Sequence, residues 1–370
     1  MPLPHLLLVG AGHAHLYLLR QNALLKRFRI TLVDPGGFWY SGLASGVLAG
    51  DHRPSEDRID PALLCRQNGV DVIRARLVAL DHEQQRGMMS NGSWLSFDYL
   101  SLNLGSAPLA PLPVHSTTKG SPHYWPVKPI PRLLQCRRSL ERRFHHLPLS
   151  LHVLGAGASG IEVACATRAL ARRHGVADMA LPIHLHHRSN GPLAQASAGA
   201  QRYVRDCLDR RAITLRVHPR AETTSLPPLV DDEASDIIDA RGLAPPQNLA
   251  HLGLPTLAGR GIAVAADLRI DGSTTQFAAG DCAAIIDQPL PRLGVHGVRQ
   301  GPILAHNLLA SLAEEPLKRY HPPKRALSII NLCHGEALAL YGSYWWGGRL
   351  ASRWKRHLDM GFMRRTRSPA

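Results

Sequence analysis

Apolar runs that end at a glycine occur twice in this 370-residue chain, once near its start and once near its middle. Residues 6–9, Leu-Leu-Leu-Val, lead into Gly10, and the run LSLHVL at 149–154 leads into Gly155. Such a run is typical of a buried parallel strand, and a glycine directly after it is typical of a phosphate-binding loop. Helix-like segments follow both glycines, so the pattern predicts an α/β protein with two strand–loop–helix units.

The first unit has the residues of a dinucleotide-binding loop. Gly10 permits a tight turn, Gly12 lets the backbone approach a pyrophosphate, and a predicted helix at 13–26 directs its N-terminal dipole at that anion. The next strand ends at Asp34, 24 residues after Gly10, where a carboxylate can bind an adenosine ribose. His15 stands where a third glycine is usual. Because that glycine serves helix packing, His15 weakens the match without removing the phosphate site.

The second unit, GAGASGIE at 155–162, has the complete glycine set of Gly155, Gly157 and Gly160. Two such units predict two nucleotides, FAD and a nicotinamide cofactor. The strand after the second unit ends in PIHLHHRS, with His186, His187 and Arg188 where an NAD-binding acid is usual. An arginine there favours the 2′-phosphate of NADPH. Two alternatives stay open: NADH held without the acid, and a vestigial site.

Proline-rich sequence at 105–131 separates the two units and is interpreted as a crossover between domains. Further along, TTQFAAGDCA predicts a strand that ends at Gly280 and Asp281, followed by a helix at 301–312. We therefore expect an FAD-binding domain of residues 1–125 and 264–330, an inserted NAD(P)-binding domain of residues 126–263, and a C-terminal segment of residues 331–370.

Composition narrows the function classes. The net charge of +15 favours phosphates, anionic lipids or acidic partners. No zinc-finger or RNA-recognition signature accompanies this charge, so we do not expect nucleic-acid binding. Six scattered cysteines without a CxxC pair or a Cys/His cluster predict reduced thiols in a cytoplasmic protein, with no metal site. We expect neither a secretory leader nor a membrane-spanning helix.

An ordered set of motifs runs almost end to end: VGAGHAH, WYSGLASGVLAG, FDYLSLNLGS, WPVKPI, GAGASGIE, FAAGDCA, GVHGVRQGPILAHNL and WKRHLDMGFM. On these motifs the chain resembles the pyridine nucleotide-disulfide oxidoreductase superfamily, which includes type II NADH dehydrogenases and sulfide:quinone oxidoreductases. It is most similar to the flavoprotein module that is fused to, or accompanies, selenophosphate synthetase, where the GHAH form recurs. The resemblance implies two Rossmann-like domains, with the NAD(P) domain inserted in the FAD domain.

The resemblance also implies roles for individual residues. The implied FAD-binding residues are Gly10, Gly12, His13 and Ala14 at the pyrophosphate, Asp34 at the ribose, Ser41 and Gly42 on the flavin side, Gly105, and Gly280 with Asp281 at the ribityl region. Gln300 and Gly301 are expected beside the isoalloxazine, where a helix N-terminus would stabilise negative charge on the reduced ring. Glu162 is expected where nicotinamide meets flavin, and Lys128 is a third candidate beside the reacting ring.

The chain departs from the family pattern in two places. DARG at 239–242 replaces an ATG-type segment, which weakens the nicotinamide site more than the flavin site. No CxxxxC pair follows the first unit, so disulfide-reductase chemistry is not expected. Cys165 and Cys333 lie in regions where sulfide-oxidising relatives carry redox cysteines, and we interpret both as core thiols.

The C-terminal segment predicts an amphipathic, basic helix. Leu350, Trp354, Leu358 and Phe362 recur every four residues among arginines and a lysine. Such a helix suits an anionic membrane interface, with Tyr-Trp-Trp at 344–346 adding interfacial aromatics. The apolar stripe is equally suited to packing on the FAD domain or to forming a homodimer.

These features predict an enzyme that passes electrons from NAD(P)H, or from a reduced sulfur or selenium species, through FAD to a quinone or similar acceptor. We expect it in the cytoplasm, attached to the inner face of the cytoplasmic membrane if the terminal helix binds lipid. The alternative is a non-enzymatic flavin-binding regulator or partner module with a decayed nicotinamide site, which HLHHRS and DARG favour.

Overall fold

The structure, a computed structural model, describes residues 2–111, 123–146, 148–188, 191–218 and 235–367, without the side chains of residues 188, 248 and 250. Its first sheet has five parallel strands in the order β19-β9-β1-β2-β5. These strands are β1 (His5–Val9), β2 (Arg29–Val33), β5 (Asp71–Ile73), β9 (Tyr99–Leu102) and β19 (Gln276–Ala278). The apolar run at 6–9 forms most of the central strand β1, where Leu6, Leu7 and Leu8 are fully buried.

The second sheet also has five parallel strands, in the order β11-β15-β12-β13-β14. These strands are β11 (His123–Pro126), β12 (Ser150–Leu154), β13 (Ile183–Arg188), β14 (Ile213–His218) and β15 (Ser235–Asp239). Pro126 lies on the edge strand, where the missing N–H does not interrupt a ladder. Both predicted units are therefore Rossmann-like, and the predicted α/β fold class is confirmed.

The remaining strands form smaller sheets. They are β3 (Phe38–Trp39) with β4 (Arg58–Ile59); β6 (Leu77–Asp81), β7 (Arg86–Met89) and β8 (Trp94–Ser96); β10 (Ala107–Pro108) with β16 (Leu243–Ala244); β17 (Thr256–Leu257), β18 (Gly261–Val264) and β20 (Ala283–Ile285); and β21 (Leu327–Cys333), β22 (Glu336–Tyr341) and β23 (Tyr344–Gly348).

The helices connect and cover these sheets. They are α1 (His13–Leu18), α2 (Asn22–Leu25), α3 (Ser41–Ala49), α4 (Pro54–Asp57), α5 (Pro61–Gln67), α6 (Pro131–Arg143), α7 (Ala158–Arg173), α8 (Ala198–Arg210), α9 (Gly294–Leu312) and α10 (Arg349–Arg367), with short 3₁₀ helices at Asp178–Ala180, Gln247–Leu252 and Gly280–Cys282.

Two hydrophobic cores place the borders of the inserted unit differently from the predicted 126–263. Strand β11 pairs with the second sheet, so that unit already includes His123. Leu249, Leu252 and Ile262 pack in the core of the first sheet, so the chain has returned to the first unit well before residue 264. We propose that the inserted unit runs from His123 to about Gly242. Helix α3 joins the two units, because Ala44, Leu48 and Ala49 belong to the second core.

Three helices differ from their predicted limits. The helix predicted at 13–26 is divided into α1 and α2, and at the break the Gln21 side chain donates to the Tyr17 carbonyl at 3.1 Å. Helix α9 begins at Gly294 rather than near residue 301 and continues through Pro302. Helix α10 extends to Arg367. The N-terminus of α9 therefore lies two turns earlier than the sequence indicates.

Candidate functional site

The glycine loops of the two units are built alike. In each, the N–H of the first glycine donates to a carbonyl of the next strand along the chain, β2 or β13. The residue that follows β9 or β15 donates its N–H to the last residue of the strand before the loop, β1 or β12. The matching residues are Gly10 and Gly155, Val33 and His186, Asn103 and Ala240, and Val9 and Leu154, with N···O distances of 2.8 to 2.9 Å. This register makes His187 the counterpart of Asp34, and Gly160 the counterpart of His15.

His15 is accommodated because its own side chain bonds to the loop. A Cβ on Gly160 would lie only 1.7 Å from the Gly155 carbonyl oxygen, so the second loop requires glycine. In the first loop the fully buried His15 ring places Nδ1 2.6 Å from the Gly10 carbonyl and Nε2 2.8 Å from the Ser101 hydroxyl. Burial lowers the pKa of His15 to about 4. The neutral ring therefore donates to the carbonyl and accepts from the hydroxyl.

Asn103, which the sequence analysis did not single out, holds two of the predicted FAD-binding segments together. Its Nδ2 donates to the Ala279 carbonyl at 2.6 Å, and the residue is buried. A Cβ on Gly12 would lie 2.2 Å from Asn103 Oδ1, and a Cβ on Gly280 would lie 2.5 Å from its Nδ2. Both glycines are therefore required by the close approach of this amide. The sequence feature that could have identified Asn103 is its position in the LNLGS motif, two residues before Gly105.

Asp34 lies at the end of β2, as predicted. One carboxylate oxygen accepts from the N–H of Ala11 at 3.1 Å. The other accepts from Gly36 at 3.1 Å and from Gly37 at 2.6 Å. The predicted ribose carboxylate is thus already oriented against the first glycine loop.

Asp281 forms an ion pair with Lys128, a residue of the second unit. Lys128 Nζ lies 3.1 Å from Asp281 Oδ2 and 2.8 Å from Ser106 Oγ, and the serine hydroxyl donates to the same carboxylate at 2.8 Å. Burial raises the pKa of Asp281, but Lys128 and Ser106 outweigh it and hold the pKa below its usual value. The structure therefore places Lys128 as the partner of Asp281.

Gln300 and Gly301 lie in the second turn of α9, and not at the helix N-terminus where the sequence placed them. Gln300 is buried, and its Oε1 accepts the Gly280 N–H at 2.7 Å. A Cβ on Gly301 would lie 2.9 Å from the Tyr17 Cβ, so Gly301 allows α9 to pack on α1. The expected helix N-terminus at Gln300 is wrong, because α9 begins at Gly294, whereas the placement of Gln300 and Gly301 beside the isoalloxazine stays a prediction.

His13 contacts aromatic side chains where the predicted flavin segments meet. Its ring centre lies 4.8 Å from Phe38, 5.4 Å from Phe362 and 6.1 Å from Tyr40. A Cβ on Gly297, near the start of α9, would lie 3.5 Å from the His13 Cβ. Burial lowers the pKa of His13 to about 4, so the ring is neutral at physiological pH. The neighbour of His13 along the chain, Ala14, is fully buried.

Helix α10 brings charged groups to Gly42. Lys355 Nζ donates to the Gly42 carbonyl at 2.6 Å and to Asp359 Oδ2 at 2.7 Å. The Tyr40 hydroxyl donates to the other oxygen of Asp359 at 2.9 Å. Ser41, the first residue of α3, is exposed beside this network. The predicted flavin-side segment is therefore tied to the terminal helix, which the sequence did not indicate.

Glu162, a residue of the second unit, lies within electrostatic range of Lys355 in this network. Its Oε1 accepts the Asn331 N–H at 2.7 Å, and the Asn331 amide donates to Ser45 at 3.2 Å. Burial raises the pKa of Glu162, and the nearby Lys355 opposes this shift. The structure thus brings the predicted Glu162 to α3 and places it beside a lysine from a distant part of the chain.

The second glycine loop is open where a nucleotide would bind. A Cβ on Gly157 would have no neighbour within 4 Å. The arginine of DARG, Arg241, donates to both oxygens of Asp239 at 2.9 and 2.6 Å and to the Ala110 carbonyl at 2.8 Å. Arg188 is the last residue of β13, and its side chain lies outside the described part of the chain.

The apolar stripe of α10 is divided between the interior and solvent. Phe362 stacks on Tyr40 with ring centres 4.5 Å apart, and Met363 is buried in the first core. The other end of the stripe forms what we call the aromatic surface, which consists of Tyr344, Trp345, Trp346, Leu350, Trp354 and Leu358, each more than one-third exposed. Within the described ranges, no helix has the length and apolar character needed to cross a membrane.

All six cysteines are free and buried, as expected for core thiols. Cys165 and Cys207 lie within hydrogen-bonding contact, and Arg211 donates to Cys207 at 2.8 Å. Among the described residues, no group of three or more His, Cys, Asp or Glu side chains is arranged to hold a metal ion.

The residues present fit FAD in the first unit. Gly10 and Gly12 let the first loop pack directly against Asn103, where a Cβ at either position would clash. The Asp34 carboxylate accepts the Ala11 N–H of this loop, and Asp281 follows Gly280, which packs against the same asparagine. Backbone N–H groups with flanking carboxylates suit a pyrophosphate and the hydroxyls of ribose and ribityl.

The comparisons with known proteins agree with this geometry. Residues 4–301 match the model of the pyridine nucleotide-disulphide oxidoreductase family. None of the curated proteins compared matches the chain, so the predicted similarity to the flavoprotein module of selenophosphate synthetase stays a prediction.

Three solved structures share the fold. The sulfide:quinone oxidoreductase of Aquifex aeolicus has a TM-score of 0.79 at 15% identity, covering 98% of this chain and 91% of its own. NDH2 of Plasmodium falciparum in complex with NADH has a TM-score of 0.77 at 13% identity, covering 98% and 97%. An engineered water-forming NADPH oxidase bound to NADPH has a TM-score of 0.71 at 18% identity, covering 90% and 74%.

The family match spans most of the chain and includes both glycine loops and Gly280. It confirms the superfamily predicted from the motifs. The chain belongs to the pyridine nucleotide-disulphide oxidoreductase family.

Proposed function

We propose that this protein is an FAD-dependent oxidoreductase that takes a hydride from NADPH and passes the electrons to a quinone-type acceptor at a membrane surface. One observation carries the proposal: Lys355 from the terminal helix bonds to the Gly42 carbonyl on the flavin side and lies within electrostatic range of Glu162 from the second unit. A buried carboxyl and a cation thereby lie close to the flavin-side segment.

The residues divide into those that bind FAD and those that position them. FAD, when bound, supplies the two-electron redox chemistry. The Gly10–His13 loop, Asp34 and Asp281 bind it, in this proposal, and Lys128 positions the Asp281 carboxylate. Asn103 and Gln300 hold the loops in register through their bonds to Ala279 and Gly280, and Gln300 stays a candidate beside the reacting ring. Glu162 and Lys355 border the reacting ring and stabilise charge there.

NADPH is favoured over NADH by the end of strand β13. The counterpart of Asp34 is His187, and Arg188 follows it. The engineered NADPH oxidase carries three consecutive replacements, of aspartate by alanine, alanine by arginine and methionine by serine. The sequence His-Arg-Ser at 187–189 has the same features: no acid, then an arginine, then a serine. An arginine in place of an acid suits a 2′-phosphate.

The acceptor is proposed from the aromatic surface and the basic charge around it. Apolar and aromatic side chains with flanking arginines suit an anionic membrane interface, which would hold a lipid-soluble quinone near α10. The proposed location is therefore the cytoplasm, peripherally on the inner face of the cytoplasmic membrane.

The first experiment is an anaerobic titration of the FAD-loaded protein with NADPH and then with NADH, followed by flavin absorbance. We expect rapid bleaching by NADPH and slow or weak bleaching by NADH, and reoxidation by a soluble quinone analogue. Arg188→Leu should weaken NADPH binding by about tenfold or more, the loss expected for one charged hydrogen-bond partner. Arg216→Leu on the exposed adjoining strand is the matched control and should leave it unchanged.

Other outcomes distinguish the remaining functions. Bleaching by sulfide or selenide, but by neither nicotinamide, would replace NADPH by a reduced sulfur or selenium donor. A bound flavin that no donor reduces would support a non-enzymatic partner module. A protein that binds no flavin would contradict the proposal entirely.

A further inference from the structure

Three hydrogen-bonded histidines cross one face of the second sheet, and the proposed function does not use them. His152 lies on β12, His186 on β13 and His218 at the end of β14. The His152 Nδ1 lies 3.0 Å from the His186 Nε2, and the His186 Nδ1 lies 2.7 Å from the His218 Nε2. Adjacent rings stack, with centres 5.2 and 4.9 Å apart. We call these three residues the histidine row.

The histidine row ends at the edge of the sheet where the proposed NADPH site lies. His218 is the last residue of β14 and pairs in the strand register with Arg188, the last residue of β13. His152 and His186 are both only 4% exposed, whereas His218 is half-buried. Rossmann-like units bind nucleotides at the carboxyl ends of their parallel strands. His218 is therefore the member of the row that a nucleotide can reach.

The strands around His218 present basic groups on this face. They are His152 on β12, His184, His186 and Arg188 on β13, and Arg216 on β14. Helix α8 packs on the opposite face, where Leu215 joins the second core. Burial lowers the pKa of His186 to about 3, and the neighbouring histidines and Arg216 contribute to this shift, so the ring is neutral. Among the described residues, no carboxylate acts on His186, and the face suits an anion.

The contacts of the row fix the direction of its hydrogen bonds once His218 is charged. An imidazolium donates from both ring nitrogens, so the His186 Nδ1 must accept from the His218 Nε2. The His186 Nε2 then carries a proton and donates to the His152 Nδ1. The His152 Nε2, which lies 3.5 Å from the Ser150 hydroxyl, carries the last proton. Every contact in the row is satisfied, and the His218 Nδ1 is left to donate to a ligand.

We propose that His218, held by the histidine row, binds the 2′-phosphate of NADPH as an imidazolium, next to Arg188 in the strand register. The inference rests on the proposed preference for NADPH and adds a second specificity-determining residue to it. Binding takes up one proton from solvent, because a phosphate dianion stabilises the charged ring. His186 is a positioning residue, since it accepts from the His218 Nε2 and does not touch the phosphate.

The sign of the pH dependence follows from the two groups that meet. An imidazole changes its charge between about pH 5 and pH 8, whereas a phosphate monoester has a second pKa of about 6. From about pH 7 to about pH 8.5 the ligand therefore keeps both negative charges and loses only its imidazolium partner. Affinity for a 2′-phosphate should fall across this interval, and affinity for the nucleotide without it should not.

Calorimetry on the FAD-loaded protein tests the inference without turnover. The ligands are adenosine 2′,5′-bisphosphate and adenosine 5′-monophosphate, and buffers of different ionisation enthalpy measure the protons taken up. We expect the wild type to bind the bisphosphate about tenfold more weakly at the higher pH, the loss of one charged hydrogen bond. Binding should take up a proton with the bisphosphate and none with the monophosphate.

Variants of the row separate the charge from the fold. His218→Gln should bind the bisphosphate about tenfold more weakly at neutral pH and without proton uptake. His218→Arg should keep the affinity at both pH values and take up no proton, because a guanidinium stays charged. His186→Phe removes the acceptor for the His218 Nε2, and it should move the fall in affinity to lower pH. His184→Gln is the matched control, since His184 lies on the same face beside Arg216 and should behave as the wild type.

Each remaining outcome decides against one assignment. Equal bisphosphate affinities of the wild type at both pH values, or proton uptake that persists in His218→Gln, would overturn the inference and leave the NADPH preference intact. If inorganic phosphate bound as tightly with the same proton uptake, the site would be a general anion site, and its assignment to the nucleotide would be wrong. A wild type that binds the bisphosphate no more tightly than the monophosphate would instead contradict the NADPH preference of the proposed function.

Discussion

Restoring the usual third glycine should damage the first nucleotide loop. In His15→Gly, the buried Gly10 carbonyl and Ser101 hydroxyl lose the partners that now lie at 2.6 and 2.8 Å. Each buried group left unpaired costs about 1 to 3 kcal/mol. A glycine inside α1 costs about 1 kcal/mol more, and the vacated ring space adds a cavity penalty. We therefore expect the free energy of unfolding to fall by about 3 to 7 kcal/mol, apart from the cavity penalty.

Urea denaturation of the FAD-free protein measures this loss, and flavin absorbance after purification measures its effect on the loop. Ser101→Ala is the control: it removes one of the two bonds and should cost about 1 to 2 kcal/mol. If His15→Gly were as stable as the wild type and retained as much flavin, the ring would not hold the loop. The interpretation of His15 as a structural replacement for glycine would then be wrong.

Three further variants test the site. Asp281→Ala removes the carboxylate paired with Lys128 and should purify with little flavin, by absorbance; full flavin content would contradict the assignment. Glu162→Ala should retain flavin but be reduced by NADPH about tenfold more slowly in stopped-flow experiments, and an unchanged rate would remove Glu162 from the reacting centre. Leu350→Glu with Trp354→Glu should abolish sedimentation with anionic vesicles while keeping NADPH-dependent reduction of a soluble acceptor; unchanged sedimentation would exclude the aromatic surface as the membrane contact.

The sequence predicts well those features that depend on local spacing. Strands β1 and β12, both glycine loops and the position of Asp34 follow from short motifs, because a phosphate loop needs its strand, glycines and helix in immediate succession. The placement of Gly280 and Asp281 after a strand is equally local, and in the structure only Ala279 separates them from β19.

Contacts between distant segments were not predictable from these motifs. Tyr40 and Asp359 bond across 319 positions, and Asn103 reaches Ala279 across 176. A single sequence shows an aspartate or an asparagine at these places but not which segment lies opposite. Gln300 illustrates the same limit: the motif marked it, but only the fold shows that its side chain bonds to Gly280.

The division of the α10 stripe has a geometric cause that the four-residue spacing conceals. An α-helix turns about 100° per residue, so each four-residue step drifts by about 40° around the axis. From Leu350 to Phe362 the accumulated drift is about 120°. Leu350 is accordingly 74% exposed, whereas Phe362 stacks on Tyr40. Packing on the FAD unit and binding to a membrane are therefore compatible, because opposite ends of one helix serve them. In the proposed function this arrangement would place a membrane-dissolved acceptor at one end of the helix and the Tyr40 network at the other.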